Sequence, residues 1–338
     1  MNQTKQQISI KDRLGGILGS PSARALASLA AVVLLGVIFN ADGAFYKWGT
    51  HRDMLRQVSV FGILGCGMTV VIIAAGIDLS VGSLLGVTAV LFSMLTIHSG
   101  VSPWIAIPAT LAVGAVFGAA SGALSARWSI QPFIATLAMM VFARGVAKLI
   151  SGGQKISTAV QQSDGSYEYV EVPAVFEFIN SSVLGGNITV VTLLFLLCVV
   201  VTWLVLDRLR PGRWIYAIGG NEEAARLSGV PVRSVKIFAY ALSGLFCALA
   251  GICQAAQEQQ GDPEAGMTYE LTAIAIVVIG GTSLRGGTGS IWLTLLGTVI
   301  IGYLEKVLSI NAVGEASRLM LTGAIIVLAV LFQKRGGR

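Results

Sequence analysis

The sequence predicts an all-α fold: a polytopic membrane protein of about ten transmembrane helices. Hydrophobic residues make up 54% of the chain and charged residues 12%, against about 25% charged in an average soluble domain. Mean hydropathy is +0.78. Apolar runs of about 20 residues, enough to cross a bilayer as a helix, recur along the chain, and the polar residues between them gather in short inserts.

The first span, 23–41, contains the run LASLAAVVLLGVIF. It superficially resembles a signal peptide, but a polar segment precedes it and no large soluble domain follows, so it reads as an uncleaved helix. Spans 54–75 and 79–97 flank a polar break around Asp78. Gly62, Gly65 and Gly67 fall in the second span, while Gly114, Gly118 and Gly122 recur every four residues in the fourth, 103–126. Small residues at this spacing let helices approach closely in lipid. The fifth span, 131–151, carries Arg144 and Lys148 near one end. After an insert at 152–187 comes 188–206, and after a second insert at 207–236 come 237–257, 268–282, 289–308 and 316–332. Each span must satisfy its own backbone hydrogen bonds in lipid, so strands are not expected inside the membrane. The chain therefore divides into a terminal segment 1–22, a transmembrane domain 23–332 and a tail 333–338.

An even number of spans puts both termini on one side. Most of the 23 Lys and Arg residues fall there, among them Lys5, Lys11, Arg13, Arg208, Arg210, Arg213, Arg233, Lys236, Lys334 and Arg335. The positive-inside rule makes that side cytoplasmic, together with the 207–236 insert. The 152–187 insert, with Asp164, Glu168, Glu171 and Glu177, falls outside and is too short for an independent domain; it reads as a flap or lip on the outer opening.

The cytoplasmic insert is polar and punctuated by Gly and Pro. A short helix over 222–227 is expected, following Gly220 and Asn221, with Glu222 and Glu223 in its first turn, Ala224 and Ala225 next, and Arg226 and Leu227 last. Ser228 and Gly229 close it and Pro231 stops it. A compact capped helix on a membrane face is a docking element. Ala224, Ala225 and Leu227 would form its small apolar surface.

Two breaks interrupt the apolar pattern. One is VVIIAAGIDLSVGSLLGV at 70–87, the other VVIGGTSLRGGTGSIWL at 277–293. Both follow spans that run inward, which implies an internal duplication of the kind found in transporters with interrupted helices. Asp78 at the bilayer centre would cost roughly 2.5–3.5 kcal/mol, so it faces the protein interior, a wet cavity or the interface. Two roles stay open for it: capping the next helix through the amides of Ser80 and Val81, or direct involvement in solute passage. Arg144 either snorkels to the headgroups or pairs with Glu270.

The pattern excludes several classes. His51 and His98 lie at span ends, and no P-loop, HExxH or GxSxG occurs. Cys66, Cys198, Cys247 and Cys253 sit in apolar runs without metal-ligand spacing. The formal charge of +6 is spread over loops between apolar spans, as membrane orientation requires, and does not form a nucleic-acid surface. A gradient-driven carrier would bury ionisable groups mid-span. Beyond Asp78 and Arg144 there are almost none.

Four ordered motifs carry a resemblance over about residues 54–335: GIDLSVGS at 76–83, QPFIATLAMMVFARG at 131–145, YAIGGNEEAARLSGVPVRSVKIFAYALSGLFCALAGI at 216–252, and YELTAIAIVVIGGTSLRGGTGS at 269–290. The chain resembles the permease subunits of bacterial ABC importers for monosaccharides of the ribose, galactose, xylose and arabinose type, with autoinducer-2 permeases as close relatives. The resemblance implies a homodimer of ten-helix subunits in the lipid of the inner membrane. It also implies a cytoplasmic ATPase that binds ATP and Mg, and a periplasmic sugar-binding protein. The stretch 219–232 is similar to the coupling helix that inserts into the ATPase. Two positions depart from the family's pattern: Ala75 where a second glycine is common, and Thr272 where an Asp often follows Tyr-Glu-Leu.

The function this implies is ATP-driven import of a monosaccharide or similar small polar solute by alternating access, with the ATPase site on another polypeptide and no cofactor in this chain. A gradient-driven carrier or facilitator is the alternative, and a membrane-embedded enzyme or scaffold the third. Polarity within the motif-bearing spans nominates Ser80, Ser83, Thr136, Tyr269, Glu270, Thr282 and Ser283, with Asp78 and Arg144, for the solute path or its gate.

Overall fold

The computed structural model describes residues 21–161, 166–314, 316–321 and 323–324. The N-terminal segment up to residue 20, the tail and most of the tenth expected span lie outside the described residues. The helices are α1 (Pro21–Ile38), α2 (Trp48–Ile73), α3 (Val81–Ser93, continued by a π-helical turn Met94–His98), α4 (Pro103–Arg127), α5 (Pro132–Ser151) and α6 (Ala174–Asn180). They continue with α7 (Val190–Trp203, continued by a π-helical turn Leu204–Arg208), α8 (Arg210–Gly220), α9 (Glu222–Leu227), α10 (Val232–Glu258), α11 (Tyr269–Gly280) and α12 (Ile291–Ile310). Proline opens α4 and α5, where its missing N–H costs nothing. The side chains of Thr189, Asn221 and Ser290 cap α7, α9 and α12.

Among the described residues, seven helices are long and apolar enough to cross a membrane: Trp48–Ile73, Val81–His98, Pro103–Arg127, Pro132–Ser151, Val190–Arg208, Val232–Glu258 and Ile291–Ile310. Two apolar helices are shorter, and α11 departs most from expectation. Its 12 residues rise about 18 Å, little more than half of a hydrocarbon core of about 30 Å. Left-handed backbone at Thr268 (φ 68°) and Gly281 (φ 112°) ends the helix on both sides.

α10 is the centre of the bundle. It packs along α4 most extensively and against α2 and α3 as well. The glycine stripe of α4 faces it. Gly118 lies against the Tyr240 carbonyl, Gly122 against Ile237 and Tyr240, and Gly114 against the Gly244 carbonyl, so the two backbones touch with no side chain between them. In α2 the glycines serve four neighbouring helices: Gly62 accommodates Phe195 of α7, Gly65 faces Ile276 of α11 and Thr294 of α12, and Gly67 receives the backbone of Ser243 of α10.

Contacts between inserts and helices define the two ends of the bundle. At one end, Arg52 donates to the Gly186 carbonyl (2.9 Å) and Arg56 to Asn180 Oδ1 (2.6 Å), while His98 Nε2 meets the Ser157 carbonyl (3.1 Å). The insert there holds two short antiparallel pairs, β1 (Ala159–Gln161) with β2 (Tyr167–Tyr169) and β3 (Ser182–Val183) with β4 (Ile188–Thr189). It is packed into the body of the protein: Phe176 of α6 is fully buried and stacks on Phe92 at 5.2 Å. Lys155 pairs with Asp262 at 3.0 Å, and that hydrogen bond holds the ammonium above its ordinary pKa. The opposite end carries α8 and α9.

The packing predicts opposite results for two glycines. Gly118→Val drives a side chain into the Tyr240 backbone and costs about 1–3 kcal/mol or more, lowering the Tm of the detergent-solubilised protein. Gly145→Ala enters open space on α5 and leaves the Tm unchanged or raises it, by up to about 1 kcal/mol of helix propensity.

Candidate functional site

The first break, 74–80, leaves α2 through Ala75 at φ 58° and runs back into the bundle alongside α10. Asp78 is fully buried. Its Oδ1 accepts the Ser80 amide (3.0 Å) and hydroxyl (2.5 Å), and its Oδ2 accepts the Ser243 hydroxyl of α10 (2.9 Å). The residue that directly precedes α3 is Ser80, so Asp78 anchors the break to α10 as well as stabilising the turn before α3. The neighbouring Ile77 carbonyl accepts from Tyr240 Oη (3.3 Å) and Thr136 Oγ1 (3.2 Å). Asp78, Ser80 and Thr136 therefore come together around one turn. Ser83 is buried one turn further into α3.

The second break, 281–290, contains Thr282 and Ser283 and turns on itself: the Ser283 amide donates to the Thr288 carbonyl (3.1 Å) and the Gly286 amide to the Ser283 carbonyl (3.1 Å). It meets the first break directly. Gly287 N–H donates to the carbonyl of Ile73, the last residue of α2, at 2.9 Å. α8 joins the same point. Tyr216 Oη donates to the Gly289 carbonyl (3.0 Å), and a Cβ on Gly219 would overlap both the Ile73 carbonyl and the Gly287 amide. The two breaks and the helix leading into α9 thus share one backbone junction. The flanking helices differ between the two halves: α10 packs on both α2 and α3, whereas α11 and α12 pack on each other.

α9 has the expected bounds. Asn221 Oδ1 accepts the Ala224 amide at 2.9 Å, and the Val230 amide closes the helix on the Ala225 carbonyl (3.1 Å) with Gly229 at φ 81°, a glycine-terminated C-cap. Glu223 bonds Arg226 at 2.6 Å and holds the guanidinium above its ordinary pKa, while Glu222 bonds Lys236 at 2.6 Å. The expected docking surface needs one correction. Ala225 is buried against the chain's own apolar cluster, with Val70, Ile73 and Ile218, because it lies on the face that closes onto α8 and α10. The outward residues include Ala224, Ser228 and Leu227, the last 79% exposed.

The remaining nominated residues lie deeper. Residues 259–268 re-enter the bundle along α3: Gly261 sits beside Ala89 and Ser93, Ala265 beside Gly86, and Gly266 against Gly82. This descent places the start of α11, with Tyr269 and Glu270, next to the start of α3. A Cβ on Gly82 would stand 2.7 Å from Glu270 Oε2. Arg144 does not snorkel to a membrane face. Its guanidinium donates to the Pro263 (2.5 Å) and Ala265 (2.8 Å) carbonyls, so it ties α5 to the re-entrant loop; no direct ion pair joins it to Glu270. Tyr269 packs its ring on Phe61 at 4.4 Å.

Sequence reasoning missed Tyr216, Gly219, Tyr240, Ser243 and Gly287, which hold the breaks in place. The available signal was Tyr240 and Ser243, three residues apart and hence on one face of an otherwise apolar helix. Among the described residues, no group of three or more His, Cys, Asp or Glu is placed to hold a metal ion.

The Asp78 geometry predicts graded losses. Asp78→Ala leaves the Ser80 amide and two hydroxyls without their acceptor and destabilises by about 1–3 kcal/mol. Asp78→Asn keeps one acceptor oxygen and loses less. Thermal unfolding of both variants checks the order, and equal losses would show that the carboxylate's hydrogen bonds do not hold the break.

Comparison with known proteins follows the same elements. A family described as branched-chain amino acid transport system / permease component matches residues 52–330. The ribose import permease protein RbsC of Escherichia coli (strain K12) is 38% identical over 310 residues, 91% of this chain and 92% of its own length. The Bacillus subtilis (strain 168) protein of the same name is 40% identical over 307 residues, 91% of each chain. The fructose import permease protein FrcC of Rhizobium meliloti is 35% identical over 316 residues, 92% of this chain and 84% of its own. No solved structure matches. The matched stretch takes in both breaks, the α8–α9 insert and the re-entrant loop, and the chain belongs to this family of ABC-importer permease components.

Proposed function

We propose that this chain is the permease subunit of an ATP-driven importer that carries a monosaccharide or similar small polar solute into the cytoplasm, with no ATPase site of its own. The observation that carries the reading is the backbone junction of Ile73, Gly219 and Gly287, because it joins a polar surface helix to both interrupted helices. A motor that moved α9 would move both breaks together. A gradient-driven carrier has no need of such a linkage, and the relatives named for ribose and fructose import favour the ATP-driven reading.

The finer assignments belong to the same proposal. The unit is a homodimer of subunits with ten helices and a duplicated architecture, in the lipid of the bacterial inner membrane. Both termini and the α8–α9 insert are cytoplasmic, where α9 is the coupling helix for an ATPase that binds ATP and Mg. A periplasmic sugar-binding protein delivers the solute to the opposite end. Residues 220–229 form the coupling element, with Leu227 rather than Ala225 as its apolar contact. The breaks at 74–80 and 281–290 move the inner gate, and solute specificity resides mostly in the binding protein.

Coupling is tested at Leu227, whose exposure allows substitution without disturbing the core. Leu227→Asp is expected to leave insertion and Tm unchanged. Association with the ATPase and its stimulation by loaded binding protein should fall by about tenfold or more, as when an interface anchor is lost. Wild-type stimulation in proteoliposomes would show that α9 is only a connection. Orientation is tested with Ser234→Cys and Glu168→Cys, each in a background where the four buried cysteines are replaced. An impermeant maleimide applied to intact cells, after outer-membrane permeabilisation, should label position 168 and spare 234; the reverse result inverts the topology.

A further inference from the structure

Because α11 begins deep in the bundle, the remainder of its axis is not filled by helix. A cavity of about 360 Å³, open on one side, lies beside its first residues and is bounded by α2, residues 267–272, the latter half of α12 and residues 318–319. This volume lies within the range of small-molecule sites, about 300–1,000 Å³. The lining is neutral and hydrogen-bonding on one side, with Gln57 and Thr272, and aromatic on another, where Phe61 packs on Tyr269 at 4.4 Å. Its charges are matched: Arg318 lies 3.9 Å from Glu305.

We infer that this cavity is a stopping site for the transported solute and that Thr272 helps to select it. The inference rests on the importer reading above and adds the site. A zwitterionic amino acid would need its own ammonium and carboxylate partners, whereas here the carboxylate and guanidinium face each other. A neutral polyhydroxylated ring suits the lining. Its hydroxyls meet the Thr272 hydroxyl and the Gln57 amide, and its C–H face meets the Phe61–Tyr269 rings. Such polar groups would be penalised against lipid, which gives a reason for them to line a wet space.

The test modifies the protein after it has folded. Thr272→Cys is made in the complete importer, in a background with Cys66, Cys198, Cys247 and Cys253 replaced, and ATP-dependent uptake of radiolabelled aldopentoses, aldohexoses and ketohexoses is measured before and after a bulky water-soluble maleimide. Leu149→Cys on the exposed face of α5 is the control and keeps its uptake on treatment. Thr272→Cys should react and then lose uptake by about tenfold or more, with the complex intact and ATP hydrolysis still measurable. Failure to react, or full uptake after modification, overturns the stopping site. Dissociation of the complex on modification would mark the cavity as a subunit contact and overturns it equally. If the parent with Thr272 intact takes up none of the sugars, the importer reading itself fails, whatever the state of the cavity.

Discussion

The closeness of α4 to α10 sets the geometry on which the other elements depend. Lipid supplies no hydrophobic force to press one apolar helix on another, so packing contact must do it. Three glycines of α4 and Gly244 of α10 strip side chains from the interface and let the backbones touch. With α10 held along one face, its polar groups on another face are fixed in space. Tyr240 and Ser243 then hold the first break, one through the Ile77 carbonyl and the other through Asp78.

Interrupted helices inside a membrane leave backbone groups without intrahelical partners, and each must be satisfied within the protein. The two breaks solve this by using each other. The Ile73 carbonyl, released at the end of α2, accepts the Gly287 amide from the second break, and the Gly289 carbonyl accepts Tyr216 from α8. The re-entrant loop before α11 uses a charged side chain: Arg144 binds two of its carbonyls. Such bonds are strong where water is excluded. They also tie each break to the helix that supplies its partner, and α8 touches both.

Much of this was legible in the chain. The positions of the seven long helices followed from apolar runs long enough to cross lipid, and the α4 interface from glycines four residues apart. The bounds of α9, including the left-handed Gly229, followed from Asn221, two acids and a Gly-Val-Pro stop. These signals are local, carried by residues within one or two turns of each other. Where a partner is remote the reading failed or stayed open. Arg144 is separated from Pro263 and Ala265 by well over a hundred residues, and nothing near Arg144 distinguishes a carbonyl-bound guanidinium from one that snorkels. Ala225 reads as part of one small apolar surface with Ala224 and Leu227, but the direction of a six-residue helix is set by what it packs on.

The sequence by itself determined that the chain is a bundle of membrane helices, broken twice, with a capped polar helix in the insert between spans 188–206 and 237–257, because composition, periodicity and capping act over a few residues. Only the tertiary structure decided that α11 starts deep in the bundle, that the two breaks bond to each other and to α8, and that a cavity bounded by α2, α11 and α12 lies beside the first turn of α11. These depend on backbone groups meeting across more than a hundred residues of chain, and no local preference encodes which carbonyl faces which amide.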